Sequence, residues 1–329
     1  MKQELKSLKE ITQPIFEDIK LFEEEFRNAL RSEVRLINLV GKYIIRHKGK
    51  HIRPVLTLLA SRVCSQPTIN SYRAAAMIEL LHLATLLHDD VVDEAEKRRG
   101  FPSINRIWKN KIAVLMGDFV LSKTLINMVG LKDFAALQLI ADTAEKLAAG
   151  EILQVEKALT RSMTEEVYFD MIYQKTASLM STSCELGAIT STGKDRDRKA
   201  MVTYGTKLGM AFQVKDDLFD LLGSENQTGK DMGADVKRNM MTLPLIHTYE
   251  KLSKVEIRQI KKILSLKKKS SANLADLKMI VDGAGGFTYA KQKIDEFNHQ
   301  ALDAIAPYPD SPYKQSMVDL ISFNVQRTG

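Results

Sequence analysis

A five-residue acidic pattern occurs twice in this chain, each time inside an apolar segment of helical period that contains no proline. Asp89, Asp90 and Asp93 form the first (DDVVD), followed by Arg98 and Arg99. Asp216, Asp217 and Asp220 form the second (DDLFD), followed by Gly229 and Lys230. On a helix, residues four apart stack one turn above the other, and the adjacent residue lies about 100° around. Each trio is therefore one carboxylate cluster, and the two clusters share a geometry. Like charges at this spacing cost roughly several tenths of a kcal/mol per pair, so both clusters call for a counter-charge. Two of them imply divalent cations held by oxygen ligands.

The residues below each cluster suggest what the cations serve. Ile78, His82, Thr85, Leu86, Asp89 and Asp93 share one broad helical face; Gly205, Gly209, Phe212, Gln213, Asp216 and Asp220 share another. Each face is acidic at one end and mostly uncharged beneath. Two such helices would build a deep apolar pocket with a metal-loaded entrance. The matching ligand has a polyanionic head and a long apolar tail. Mg²⁺ suits the entrance, because it keeps several waters and bridges one or two carboxylates to substrate phosphates. The spacing does not fit a calcium loop, whose alternating ligands sit on a sharp turn. Lys50, Arg53, Arg98, Arg99, Lys175 and Lys230 supply cations for a diphosphate.

The rest of the chain reads as helix. Proline (8) and glycine (17) are scarce among 329 residues, against a many-turned β architecture, and 44% hydrophobic with 27% charged residues describes a globular protein. Helical periodicity covers roughly 14–29, 34–45, a run from Pro54, 70–96, 111–129, 133–158, 164–191, 196–222, 242–251, 254–266, 272–282, 287–305 and 312–326. No strand alternation or linker divides it, so the expectation is one all-α domain over 1–329; Lys267-Lys268-Lys269-Ser270-Ser271 reads as a solvated loop. A formal charge of +7 fits an anionic ligand and is too weak and scattered for nucleic acid. Cys64 and Cys184 read as lone thiols of a reducing compartment, and no apolar run of signal-peptide or membrane-spanning length is evident. A cytoplasmic protein without a membrane span follows.

The blocks GKHIRP (49–54), HLATLLHDDVVDEAEKRRG (82–100), LMGDFVLSK (115–123), GEILQ (150–154), YQKTASL (173–179), FQVKDDLFDLLG (212–223), GKDMGAD (229–235) and TLPLI (242–246) resemble, in order, those of the trans-polyprenyl diphosphate synthases. HLATLLHDDVVDE is most similar to the octaprenyl and other long-chain members. The resemblance implies the isoprenoid synthase fold, a single large helical bundle around a deep central cavity. It implies head-to-tail condensation of isopentenyl diphosphate onto an allylic prenyl diphosphate, three Mg²⁺ per site, a homodimer, and a product whose apolar chain suits delivery to a membrane. Asp89, Asp90, Asp93, Asp216, Asp217 and Asp220 would hold the metals, with Lys175 and Lys230 reaching the allylic diphosphate and Arg98 on the same side. Lys50, Arg53, His82 and Arg99 would hold isopentenyl diphosphate; Gln213 and Thr176 would lie near the allylic end. Gly117-Asp118 and Gly150-Glu151 are expected to pack or support.

Two details refine the expectation. Short-chain members carry aromatic residues just before the first acidic motif, where this chain has Ala84 and Thr85, which points to a medium or long product. A helical wheel places Thr85 on the cluster face and Ala84 off it, so Ala84 rests on the resemblance; Leu125 or Met128 would supply the floor. The family reads Gly-Lys-x-Thr-Leu-Pro where this chain has Asn239-Met240-Met241-Thr242-Leu243-Pro244, so a lysine expected at 240 is methionine. Lys237 or Arg238 could replace its charge. Three other readings compete: a class I terpene cyclase, a non-catalytic subunit of a heteromeric synthase, and a phosphohydrolase built on His88-Asp89.

Overall fold

The computed structural model describes residues 6–47, 49–98, 100–160, 162–222, 240–266 and 270–326. Its helices are α1 (Leu8–Thr12), α2 (Phe16–Ala29), α3 (Arg35–Arg46), α4 (Ile52–Cys64), α5 (Ile69–Val92), α6 (Ile104–Gly130), α7 (Phe134–Thr160), α8 (Glu165–Ile172) and α9 (Ser178–Ser191). They continue with α10 (Asp195–Leu222), α11 (Leu243–Lys251), α12 (Lys254–Ser265), α13 (Ser271–Gly283), α14 (Gly286–Ile305) and α15 (Pro312–Gln326). Among the described residues the structure is all-α apart from one two-residue ladder, β1 (Lys97–Arg98) antiparallel to β2 (Phe101–Pro102). That ladder was not expected.

Local chemistry accounts for many of the starts. Ser7 with Glu10, Ser253 with Glu256 and Ser270 with Asn273 are reciprocal capping boxes at α1, α12 and α13. Thr164 caps α8 by accepting from the Val167 N–H. The first acidic helix stops sooner than its apolar period suggests, at Val92 rather than near Glu96. Glu94 takes φ of 50°, which an α-helix cannot continue through, and Ser103 then leads into α6.

Helix α5 is the axis of the bundle. Ala74, Ala75, Ile78, Leu80, Leu81 and Ala84 are buried on every side of it, and it packs against α2, α4, α6 and α9. Helix α10 lies against α9 and α14. Gly205 and Gly209 permit this approach, since a Cβ on either would stand 2.6 Å from backbone atoms of Met180 and Ala177. Helix α6 meets the length and hydropathy of a membrane-crossing segment by composition, and a third of its most apolar window is buried in the bundle. Asp118 and Lys123 interrupt it, and its buried side rests on α5. Its other side, with the adjoining face of α7, leaves Ile126, Val129, Phe134, Ile152 and Leu159 exposed.

Candidate active site

The C-terminal ends of α5 and α10 meet at a cavity of about 680 Å³. Asp89 from α5 and Asp216 from α10 both line it, with Arg53, His82, Arg98, Glu151, Lys175, Thr176 and Gln213. Leu81, Ala84, Thr85, Leu121, Leu147 and Leu179 supply apolar wall. The two acidic motifs, 127 residues apart from Asp89 to Asp216, thus contribute to one chamber. Polar groups at its head and hydrocarbon along its sides match the amphipathic ligand expected from the sequence.

The six aspartates, all expected to hold the metals, differ in their surroundings. Asp90 is 4% exposed and bonded to Arg98, whose Nε donates to both carboxylate oxygens at 2.9 and 3.0 Å. Asp217 is 7% exposed and accepts from the Tyr168 hydroxyl at 2.6 Å and from Gln213 Nε2 at 2.8 Å. Thr176 donates in turn to Gln213 Oε1 at 2.7 Å, which ties the allylic-end pair to the second motif. The middle aspartate of each motif is therefore built into the wall. Asp93 caps α5 in an exposed position and Asp220 is half-buried one turn beyond Asp216; neither lines the cavity. Arg99 and Lys230 lie outside the described residues.

Lys175 stands on a π-turn, Tyr173–Ala177, inserted between α8 and α9. Such a widened turn breaks the helical register and carries Lys175 and Thr176 to the cavity. Gly150 makes room for it, since a Cβ there would stand 2.8 Å from the Lys175 backbone nitrogen. Lys175 Nζ donates to Glu151 at 2.8 Å and to Gln154 at 2.9 Å. Glu151 belongs to the site more closely than a supporting contact, and the GEILQ block carries both it and Gln154, to which the sequence alone assigns no individual role.

Burial pushes the Asp89 carboxyl up to about 6, with the Glu151 carboxylate adding to the shift and Lys175 and Arg98 opposing it. A buried carboxylate of this kind is costly to ionise without a counter-charge beyond Lys175 and Arg98. Hard oxygen donors in that condition suit a divalent cation. Among the described residues no three acidic, His or Cys side chains converge closely enough to hold a metal unaided. That donor set fits a cation completed by substrate phosphate and water better than a closed protein cage.

A second cavity of about 550 Å³ adjoins the first, and Arg53, His82 and Phe212 line both. Lys50, His51, Glu79, Leu320 and Phe323 complete it. Arg53 Nη1 lies 3.0 Å from His82 Nε2; a guanidinium can only donate, so that ring nitrogen accepts. Lys50, Arg53 and His82, expected to share one ligand, are thus brought together. His51, between Lys50 and Arg53, adopts φ of 49°, a left-handed conformation worth about 1–3 kcal/mol of strain outside glycine.

Three expectations about the apolar end change. Ala84 lines the cavity beside Thr85, although an ideal wheel separates them, because the chamber wraps around more than one face of α5. Leu125 is 45% exposed and Met128 is buried in a neighbouring apolar cluster; neither lines the cavity, whose apolar lining instead includes Leu121, Leu147 and Leu179. Met240 is 8% exposed and packs in the cluster of Val214, Leu218 and Leu243. Lys237 and Arg238 lie outside the described residues. His88, the basis of the phosphohydrolase reading, instead approaches Asp118 at 3.3 Å.

The chain belongs to the polyprenyl synthetase family, whose pattern matches residues 34–281, and is thereby an enzyme of the prenyl-transferring class. It is 33% identical to octaprenyl diphosphate synthase of Haemophilus influenzae over 326 residues, 99% of each chain. Its fold matches a decaprenyl diphosphate synthase from Rhodobacter capsulatus at a TM-score of 0.91 and 30% identity, covering 98% of this chain and 100% of that one. It also matches a polyprenyl synthase from Caulobacter crescentus, solved with calcium and isoprenyl diphosphate, at 0.90 and 27%, covering 99% and 100%. The fold is the isoprenoid synthase fold.

Proposed function

We propose that this enzyme condenses isopentenyl diphosphate head-to-tail onto an allylic prenyl diphosphate, releasing a medium or long all-trans polyprenyl diphosphate and inorganic diphosphate. The observation that carries the reading is Asp89 and Asp216 sharing one cavity whose walls continue as hydrocarbon. Bound Mg²⁺, three ions per site, would compensate the charge of the departing diphosphate; Asp89 and Asp216 would hold it, with Asp93 and Asp220 one turn away.

The chain's own groups do the rest. Lys175, released from Glu151, and Arg98, anchored on Asp90, draw the allylic diphosphate to the head of the chamber, with Lys230 joining them. Lys50, Arg53, His82 and Arg99 hold the isopentenyl diphosphate in the adjoining cavity. Phe212 lines both cavities, so the two substrates meet across it. As the allylic C–O bond breaks, the double bond of isopentenyl diphosphate attacks the allylic carbon, and the proton lost in elimination passes to the departing diphosphate. The apolar wall excludes water that would quench the cation. Gln213, held by Thr176 and bonded to Asp217, keeps its amide at the allylic end. The growing chain extends past Thr85 and Ala84.

The proposal takes residues 1–329 as one working unit in the cytoplasm, paired as a homodimer through the apolar face of α6 and α7. Incorporation of radiolabelled isopentenyl diphosphate by the purified protein alone, with an allylic primer and Mg²⁺, tests the reaction. No incorporation would favour a subunit dependent on a partner, and a cyclised hydrocarbon would favour a terpene cyclase. A monomeric mass at micromolar concentration would refute the dimer.

A further inference from the structure

His51 and Glu79 take no part in the reaction derived above, yet they line the cavity that holds Lys50, Arg53 and His82. The His51 ring is held edge-on by Phe22 and Phe26 of α2, with ring centroids 5.4 and 5.9 Å away. Its Nδ1 lies 3.2 Å from Oε1 of Glu79, and the two side chains are only 12% and 11% exposed. That approach is an ion-pair distance and not a hydrogen bond: His51 Nδ1 and Nε2 and Glu79 Oε2 are all buried without a hydrogen-bond partner among the described residues. A buried polar pair so incompletely satisfied is a poor source of stability. Its backbone is also strained, since His51 is left-handed and its side chain does not cap α4. Stability alone therefore does not account for this arrangement.

The geometry relates the pair to the cations. Glu79 and His82 are three residues apart on α5, so they rise as successive rungs of one face. The first rung meets His51 and the second meets Arg53 through the 3.0 Å contact. His51, just before α4, and Arg53, in its first turn, thus each meet a rung of α5. The left-handed kink at His51 sends its own ring back into the aromatic pair while Lys50 and Arg53, on either side of it, line the cavity.

We propose that the His51–Glu79 pair is a positioning device for the acceptor diphosphate: it fixes the start of α4, with Lys50 just before it and Arg53 in its first turn, and so sets affinity for isopentenyl diphosphate by placing those cations. This rests on the proposed function in taking that cavity as the acceptor site.

The test is steady-state kinetics of the full-length enzyme, titrating isopentenyl diphosphate and the allylic primer separately. His51→Asn keeps a residue that tolerates the left-handed backbone but removes the ring and its contact; Glu79→Gln keeps the shape and removes the charge. Each variant should raise the KM for isopentenyl diphosphate about tenfold, and the double variant should do little more than either, because both break one contact. The allylic KM and the melting temperature of His51→Asn should stay near wild type. An unchanged acceptor KM in both variants overturns the proposal. So does a uniform fall in kcat, both KM-based efficiencies and melting temperature, which would mark a merely structural pair. A wild-type protein that does not consume isopentenyl diphosphate would overturn the proposed function itself, a result distinct from either.

Discussion

Arg98 and Asp90 are locked together: Nε donates to both carboxylate oxygens and Nη2 lies 2.8 Å from Oδ1. The pair fastens the β1–β2 ladder to the last turn of α5 and removes the middle aspartate from the chamber. Asp217 mirrors it, held by Tyr168 and Gln213. Each acidic motif thus divides into a cavity-facing residue and a wall-building one.

The division predicts two phenotypes within one motif. Asp89→Asn and Asp216→Asn should lower kcat on the order of 10²-fold or more while leaving the fold intact. Asp90→Asn should instead weaken the anchor of Arg98. Its cost should be about 2–3 kcal/mol, below the value typical of a fully buried pair because Arg98 is 37% exposed. Metal-free melting curves set beside kcat at saturating Mg²⁺ check both. Near-native turnover by Asp89→Asn, or indistinguishable melting of the Asp89 and Asp90 variants, would sink the division.

The sequence carried the fold because helical period, caps and turns agree along most of its length. It carried the cavity-facing aspartates because spacing on a helix is a local property. The roles of Asp90 and Asp217 were not legible, since their partners come from the β1–β2 ladder and from α8. Ala84 was misplaced by the wheel for a related reason: a wheel assumes one buried face, and α5 is enclosed on all of them. The end of α5 was overrun because a left-handed Glu94 leaves no mark in composition.

Asp89 should give the metal-free protein a distinctive pH response. Its carboxyl titrates near 6, above the ordinary 3.8, so the folded state holds the proton more tightly than the unfolded state. The resulting stability is fully present below about 3.8 and is lost as pH rises through about 6. Melting temperature measured in chelator between pH 4 and pH 7, roughly, should therefore contain a falling component that Asp89→Asn abolishes. If the Asn variant kept the same slope as wild type, the shift would belong to another group.

Product length should respond to both Ala84 and Thr85. Each lines the chamber, so Ala84→Phe and Thr85→Phe should shorten the principal product, read by chromatography of the dephosphorylated prenols. Leu125→Phe, at a 45% exposed position away from the chamber, should leave the distribution alone. A product changed by Leu125 and not by Ala84 would put the tunnel elsewhere.

Met240 stands where the family presents a lysine, and here it packs in apolar company with Val214, Leu218 and Leu243. Restoring the cation should therefore harm the protein before it helps the site. An ammonium in that cluster must either shed its proton or rearrange its neighbours, at a cost of about 2–5 kcal/mol. Met240→Lys is expected to lower the melting temperature and leave the allylic KM no better than wild type. Met240→Leu, which keeps volume and polarity, should be close to neutral, within about 1.5 kcal/mol. The competing outcome is equally measurable. If Met240→Lys keeps its melting temperature and lowers the allylic KM about tenfold, the scale of a 1.4 kcal/mol contact, the side chain at 240 leaves the core to meet the diphosphate. The wild-type enzyme would then be working with one cation fewer than its relatives' pattern supplies.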